Sequence, residues 1–255
     1  SEFKKILSSP DALKTRSTHG GNQESATIVL DNLGRMHAAW QESTSDKTSI
    51  YYAFTLPGEP KVTGNGIYSS KKLPSTILLD SRKNLGLEPS GISSLDSLDP
   101  RTLVSPTSSF VSAGVKKGDT VLVKGASKTS AYKVLSVPDE AAIIVDAPED
   151  ISSDYEAAEF GVFSGPATWT DPILVSSQDF DSSVPAILGK SNGDVWVAYS
   201  NRQYGNNDVY ITILKTGMTG SVISRTMQVT STTQDSIAPT LCELPNGDVF
   251  AAWEQ

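Results

Sequence analysis

The chain has 255 residues, among them 21 basic and 29 acidic side chains, two histidines and one cysteine, and its formal net charge is −8. This charge repels phosphate backbones and anionic lipids, so we do not expect nucleic acid as a partner. One cysteine excludes an internal disulfide, and with only two histidines beside it we expect no metal and no other cofactor. No apolar run is long enough to span a membrane, so we expect no membrane insertion.

The N-terminal part predicts an arm followed by short β-strands. Alternating apolar and polar residues between turn formers indicate strands at 26–30, 35–41 and 49–56, so residues 1–56 are interpreted as an arm and three strands of one repeat unit. The following residues, 57–106, are rich in Ser, Pro, Gly and Leu and predict a loosely ordered arm.

The next segment, residues 107–163, predicts a small separate β-domain. Apolar runs at 120–123, 132–137 and 142–145 are short and divided by turn formers, which is typical of a small barrel or sandwich. Because the repeat pattern stops at 56 and resumes at 169–177 with a fourth strand, this domain is interpreted as an insertion between the third and fourth strands of one unit.

Residues 164–255 complete the first unit and contain two aligned copies of the repeat. Residues 175–199 and 229–253 match without a gap at an offset of 54, with ten identities in 25 positions. A weaker copy lies 159 positions before the first of these, where Ile28, Gly34, Ala39 and Trp40 match Ile187, Gly193, Ala198 and Tyr199. Such a fixed offset indicates an array of supersecondary units.

Within the better-preserved unit the pattern predicts four strands, at 184–188, 194–200, 208–214 and 225–231. Asn192-Gly193 and Asn246-Gly247 predict two-residue hairpin turns with positive φ at both positions. Four strands per repeat predict the blades of a β-propeller. The predicted fold is all-β: a partial propeller of four-stranded blades, truncated or assembled from several chains, with an inserted small β-barrel or sandwich.

The blade pattern resembles the BNR, or sialidase-like, propeller repeat. The matching residues are Pro185, the run from Asn192 to Tyr199, the run from Asp31 to Trp40, Ile50-Tyr51-Tyr52 and the run from Thr168 to Ser176. That resemblance implies the propeller fold, but the Asp box of the family has no intact copy. A sialidase site further needs three converging arginines. The repeats and the arm offer only Arg16, Arg35, Arg202 and Arg225, and of these Arg35 and Arg225 are not well placed for a central pocket. We therefore predict no catalytic residues in this chain.

The inserted segment resembles a module found in tail and other structural proteins of bacteriophages. The matching residues run from Ser109 to Val123, from Tyr132 to Val137 and from Ala142 to Asp146. In that module a Gly-Asp pair, here Gly118-Asp119, turns the chain between two strands. This resemblance implies a role in a virion.

Six polar or aromatic residues are candidates for ligand binding because they fall in loops at one end of the predicted blades. They are Arg202, Tyr204, Asn206 and Asn207 in the second-to-third strand loop, and Asp181 and Asp235 before the first strands. Each has a structural alternative: a solvated loop for the first four, and a side chain that caps a turn for the two aspartates. His37, mid-strand among apolar residues, is expected to be buried and hydrogen-bonded. Cys242 and the strand-end aromatics Trp40, Tyr199 and Trp253 are expected in the core.

The sequence favours a non-enzymatic structural or adhesive component of a phage virion, tail-associated, whose propeller face recognises a glycan or a protein. Its expected partners are other virion proteins or copies of itself, and its expected location is the virion or the extracellular space. Two alternatives stay open: a secreted sialidase-like glycoside hydrolase whose catalytic residues lie mostly elsewhere, and a bacterial surface carbohydrate-binding module.

Overall fold

The computed structural model describes residues 22–72, 99–126, 129–147, 151 and 154–255. In that part of the chain the regular structure is β, apart from a short 3-10 turn at Ser70–Lys72, which confirms the all-β prediction. The chain divides into two compact units, one comprising the chain up to Thr55 with Trp169–Gln255 and the other comprising Leu56–Thr168. Among the described residues, no helix has the length and apolar character needed to cross a membrane.

Seventeen strands follow one another in the described residues. They are β1 (Asn22–Leu30), β2 (Met36–Ser43), β3 (Thr48–Leu56), β4 (Glu59–Ser69), β5 (Thr102–Val104), β6 (Thr120–Lys124), β7 (Thr129–Asp139), β8 (Ala142–Val145), β9 (Ala158–Ser164), β10 (Thr168–Trp169), β11 (Ile173–Leu174), β12 (Ser182–Gly189), β13 (Asp194–Asn201), β14 (Asp208–Thr216), β15 (Ser221–Gln228), β16 (Ile237–Glu243) and β17 (Val249–Glu254).

The first unit contains three antiparallel sheets in chain order. Sheet 1 has the order β1-β2-β3, with β10 and β11 both pairing with β3; sheet 2 has the order β12-β13-β14-β15; sheet 3 consists of β16 and β17. Strands β1 and β2 contact β12 of sheet 2, and β12 and β13 contact β16 of sheet 3. Each sheet therefore packs on the next one in the sequence. Because β13 lies between two neighbouring sheets, most of its side chains are buried on both faces.

The first strand of every sheet contains a β-bulge at the same repeat position. Ser25, Val184 and Ala238 have φ values of 51°, 48° and 50°, and the strand register shifts at each of them. These residues match at the sequence offsets of 159 and 54. Positive φ is uncommon outside glycine and unfavourable for a β-branched residue such as Val184. The bulge is thus a feature of the repeat that the sequence pattern did not reveal.

The first hairpin of every sheet is closed by the same three-residue turn. In sheet 2, Lys190 N–H donates to the Asp194 carbonyl (2.9 Å) and Gly193 N–H donates to the Lys190 carbonyl (3.0 Å), and sheets 1 and 3 repeat both bonds. Gly193 has φ of +88°, whereas Asn192 has no positive φ. The predicted two-residue turn with positive φ at both positions is therefore wrong. Asn192 instead accepts the Asp194 N–H on its side-chain oxygen, at 3.0 Å.

The second unit is a closed six-stranded barrel with the order β4-β5-β8-β7-β6-β9. Strand β9 closes it by pairing with both β4 and β6. Its interior is filled by apolar side chains, which include Ile67, Leu103, Phe110, Val121, Ile143 and Phe160. The Gly118-Asp119 turn lies at its surface, with Gly118 at φ +93° and the buried Asp119 carboxylate 3.0 Å from Lys61 Nζ.

The barrel also includes strands from the segment 57–106, which the sequence indicated as an arm. Strand β4 is rich in glycine and polar residues, but pairing with β9 and β5 orders it. Gly64 suits this strand because a Cβ there would lie 3.2 Å from the Phe160 ring. Residues 73–98 of the arm lie outside the described residues.

Three further details differ from the sequence-based expectations. Strand β15 spans Ser221–Gln228, so it begins and ends earlier than the predicted 225–231. Trp40 and Tyr199 are buried as expected, but Trp253 is 38% exposed and Cys242 is exposed. Among the described residues, sheet 3 consists of two strands and packs on sheet 2.

Candidate functional site

The structure places all six candidate ligand residues along one end of the stacked sheets. We define this end, the loop edge, as residues 44–47, 178–181, 202–207 and 230–235, the connections that follow the second and fourth strands of each unit. The backbone N–H of Arg202 donates to the carbonyl of Asp181 at 2.9 Å and so connects the loop 202–207 to the loop 178–181. That these residues bind a ligand stays a prediction.

Asp181 and Asp235 form equivalent hydrogen bonds between neighbouring sheets. Asp181 Oδ1 accepts the N–H of Thr48 (2.9 Å), where sheet 1 begins its third strand. Asp235 Oδ1 accepts the N–H and the side-chain amide of Asn207 (2.7 and 3.1 Å), which occupies the position in sheet 2 that Thr48 occupies in sheet 1. Each carboxylate thus caps the backbone of the preceding sheet, the structural role that the sequence left open as an alternative.

The 202–207 loop is held at both ends and carries accessible side chains in its middle. Asn206 donates its amide to the Thr232 carbonyl at 2.8 Å, and Gln203 accepts the Tyr210 hydroxyl at 2.9 Å. Between them Tyr204 is 71% exposed. The Arg202 Nε lies 3.4 Å from the Gly205 carbonyl, a long contact for a charged donor. Tyr204 and Arg202 are therefore the candidate residues best placed for an external ligand.

The opposite end of the sheets contains a buried polar network that the sequence did not indicate. We define this end, the turn edge, as residues 31–35, 190–194 and 217–220. Asp31 Oδ2 is 2.7 Å from Arg35 Nε and 3.1 Å from His37 Nε2, and His37 Nδ1 is 2.7 Å from the Tyr52 hydroxyl. Arg35 also donates to the Gly217 carbonyl of sheet 2 at 2.8 Å. His37 is fully buried with both ring nitrogens in hydrogen-bond contact, as expected.

The surroundings of this network shift the pKa values of two of its members, Asp31 and Tyr52. Burial raises the pKa of Asp31, but hydrogen bonds from His37 and Arg35 and the charge of Arg35 outweigh it and lower the pKa to about 2. Burial raises the pKa of Tyr52, which hydrogen bonds from Ser221 and Thr216 oppose. Asp31 is thus a carboxylate and Tyr52 a neutral phenol at neutral pH. The ring of Phe54 stacks on His37 at a centroid distance of 5.5 Å, which leaves no space for a ligand on that face.

The turn edge of sheet 2 contacts sheet 3 through a different set of residues. Lys190, which matches Asp31, donates its ammonium group to the Gly247 carbonyl at 2.6 Å and lies 5.3 Å from the centre of the Trp196 ring. Ser191 donates its N–H and its hydroxyl to Glu243, both at 2.8 Å, and these bonds lower the pKa of Glu243. The turn edge therefore joins neighbouring sheets by polar contacts.

The three described arginines of the first unit do not converge on one site. Arg35 is committed to Asp31 on the turn edge, Arg202 lies on the loop edge, and Arg225 is exposed on β15, the outer strand of sheet 2. Arg16 lies outside the described residues. No group of three or more His, Cys, Asp or Glu side chains that would suit a metal ion is present in the described part of the chain.

Comparison of the chain with known protein families, curated proteins and solved structures finds no match.

Proposed function

We propose that this chain is a non-enzymatic recognition component of a bacteriophage virion, tail-associated, in which the three sheets are successive blades of a β-propeller. The loop edge is its recognition face, and other virion proteins or copies of the chain are its structural partners. The observation that carries the proposal is the loop edge itself: a row of preorganised connections from successive sheets that exposes Tyr204 and Arg202 to solvent.

Three structural features that recur from sheet to sheet support the propeller. The bulge residues, the three-residue turns and the two aspartate caps recur at the same repeat positions, so the sheets are equivalent units packed in one orientation. A radial array of sheets requires the same packing from one blade to the next. An ordinary sandwich would instead place two sheets face to face without a repeated sheet-to-sheet contact.

The arrangement of charged residues favours recognition over hydrolysis. Arg35 and Arg202 lie at opposite ends of equivalent second strands, and an eight-residue strand spans about 26 Å. Arg35 is buried in a salt bridge with Asp31. An arginine cluster for a substrate carboxylate would need these groups within a few ångströms of each other, so the hydrolase alternative has no support from these residues.

The virion assignment rests on the inserted segment. The residues that resemble the phage module form β6, β7 and β8 of the closed barrel, so the resemblance falls on one compact unit. The insertion leaves the pairing of β3 with β10 and β11 intact. A compact unit at such a connection suits contacts with neighbouring chains, because these contacts do not require a change in sheet 1.

Immunogold labelling tests the proposal. Antibodies against the full chain should label purified virions of the phage that encodes it in negative-stain images, at the tail, and pre-immune antibodies should not. The same full chain should release no free sialic acid from sialyllactose. Unlabelled particles, or hydrolysis by the wild-type chain above that of a buffer control, would overturn it.

A further inference from the structure

We propose that the loop edge binds an uncharged glycan, with Tyr204 as the surface on which a sugar ring stacks. This inference rests on the proposed recognition role and specifies its ligand class. Its starting point is the exposure of Tyr204, which at 71% is higher than that of any other exposed large hydrophobic side chain in the described residues. A phenol ring this accessible offers a flat face to the C–H groups of a pyranose ring.

The backbone around Tyr204 is fixed before any ligand arrives. Arg202 N–H bonds to the Asp181 carbonyl, Asn207 N–H bonds to Asp235, and Asn206 bonds to Thr232, so the loop is anchored to residues outside it on both sides. Gly205, with φ of +95°, provides the left-handed position that the bend after Tyr204 requires. A preorganised loop loses little conformational entropy on binding, which matters for a weak ligand such as a sugar.

The loop edge provides both hydrogen-bond donors and acceptors. Arg202 has guanidinium N–H groups beyond its long contact with Gly205, and Asp181 and Asp235 are exposed carboxylates. A sugar hydroxyl both donates and accepts, so neighbouring hydroxyls on one ring are satisfied by such a mixed set. The sulfate groups of a sulfated chain would instead be repelled by these carboxylates.

The charge of the loop edge selects against anionic glycans. Its residues include four acidic side chains, Asp46, Asp179, Asp181 and Asp235, against two basic ones, Lys47 and Arg202. Lys47 also donates its ammonium group to the Gln178 carbonyl. The net charge of −8 on the whole chain adds to this repulsion. An uncharged glycan meets no such penalty.

The composition of the edge also favours a glycan over a protein. Tyr204 is the one exposed large hydrophobic residue among the described residues of the loop edge, and the residues from Asn201 to Asn207 around it are polar or glycine. Protein interfaces depend on a desolvated cluster of apolar and aromatic anchors. A single exposed aromatic ring among hydrogen-bonding groups matches the surface of a sugar, which presents one apolar patch and a rim of hydroxyls.

Binding to defined oligosaccharides tests this inference. The full chain would be titrated with maltoheptaose, xylohexaose and mannohexaose, and with polysialic acid as the anionic probe, by saturation-transfer NMR and calorimetry. We expect at least one uncharged oligosaccharide to bind with a Kd of about 1 mM or lower. Tyr204→Ala should raise that Kd about fivefold or more, whereas Tyr204→Phe should retain binding. Phe250→Ala, which removes another exposed aromatic ring outside the loop edge, is the matched control and should leave the Kd unchanged.

The outcomes separate this inference from the proposed function. If no uncharged oligosaccharide binds at about 10 mM, or polysialic acid binds more tightly, or Tyr204→Ala and Phe250→Ala have equal effects, the glycan class is overturned. Labelled virions with no glycan binding would leave the recognition role standing and remove only this inference. Unlabelled virions together with Tyr204-dependent binding to an uncharged oligosaccharide would overturn the virion role and leave the glycan inference standing.

Discussion

The two ends of the stacked sheets are built from the same repeat but differ in what they do with polar side chains. At the turn edge, Asp31, Arg35, His37 and Tyr52 are buried in one hydrogen-bonded network. At the loop edge, Asp181 and Asp235 cap the neighbouring sheet while Arg202 and Tyr204 stay accessible. Polar residues thus stabilise the sheets at one end, and at the other they also remain available to bind.

This difference follows from the lengths of the connections. The turn edge consists of three-residue hairpins and the four-residue connection 217–220, and these short turns keep their side chains close to the strand ends, where they contact the next sheet. The six-residue loop 202–207 is long enough to hold its own ends and still expose Tyr204 between them. Variants at the turn edge should therefore change stability, whereas at the loop edge variants of the exposed side chains Arg202 and Tyr204 should change binding and variants of the capping aspartates should change stability.

The largest expected effect is on the turn edge. Asp31→Ala should lower the free energy of unfolding by about 3 kcal/mol, because it leaves the buried Arg35 guanidinium and His37 without their shared acceptor. Urea unfolding monitored by tryptophan fluorescence measures this change. Asp46→Ala, an exposed aspartate on the loop edge, is the matched control and should change the free energy by less than about 0.5 kcal/mol. Equal effects from the two variants would contradict the distinction between the edges.

The pH dependence of stability should identify the same carboxylate. The pKa of Asp31 falls from 3.8 to about 2 on folding, so its ionisation stabilises the protein above about pH 4, and this contribution is lost as the pH falls towards 2. Asp31→Asn cannot titrate. The Tm difference between wild type and Asp31→Asn should therefore be largest at neutral pH and shrink between pH 4 and 2. A difference that is constant over that range would show that the ionisation of Asp31 does not contribute.

A smaller effect is expected from the aspartate caps. Asp235→Ala should destabilise the protein by about 1 to 2 kcal/mol, because it removes the acceptor for the N–H and the side-chain amide of Asn207. Asp235→Asn retains an acceptor oxygen and should recover part of the loss. Thermal unfolding compares the two variants. If both were neutral, the repeated cap would not contribute to the packing of sheet on sheet.

The smallest expected effect concerns the bulge at Val184, where stability depends on the backbone conformation and not on a side-chain contact. Val184 has φ of 48°, which costs an L-residue about 1 to 2 kcal/mol relative to its favoured conformations. Val184→Gly should therefore be more stable than Val184→Ala by about 1 kcal/mol in urea unfolding. The same pair of substitutions at Val222, an exposed β15 residue with no positive φ, should favour alanine.

Much of the secondary structure could be predicted from the sequence because its signals are local. Strands β2, β3, β13 and β14 begin and end within two residues of the predicted positions, since alternation and turn formers mark them directly. Strand β4 was missed because its glycines and polar residues lack that alternation, and its order comes from pairing with β9 almost a hundred residues later. The polar network at the turn edge was missed because Asp31 and His37 are not repeated in the other units.

The candidate ligand residues show the same division. The repeat register placed Asp181 and Asp235 at equivalent positions, and the loop pattern placed Tyr204 and Arg202 near them, so their common edge followed from the sequence. The sequence did not show which of these side chains form hydrogen bonds to a neighbouring sheet. Asp181 bonds to Thr48, 133 residues away, and such a contact depends on how one sheet packs on another.

The sequence by itself determined an antiparallel β-structure that repeats and is interrupted once, because strand alternation, turn residues and the offset of 54 are properties of neighbouring positions. Only the tertiary structure decided that Asp31, His37 and Tyr52 share a buried network, that the first strands bulge at Ser25, Val184 and Ala238, and that Tyr204 is exposed. Burial and hydrogen-bond partners depend on the surfaces that sheets present to one another, and a periodic pattern within a single strand does not encode them.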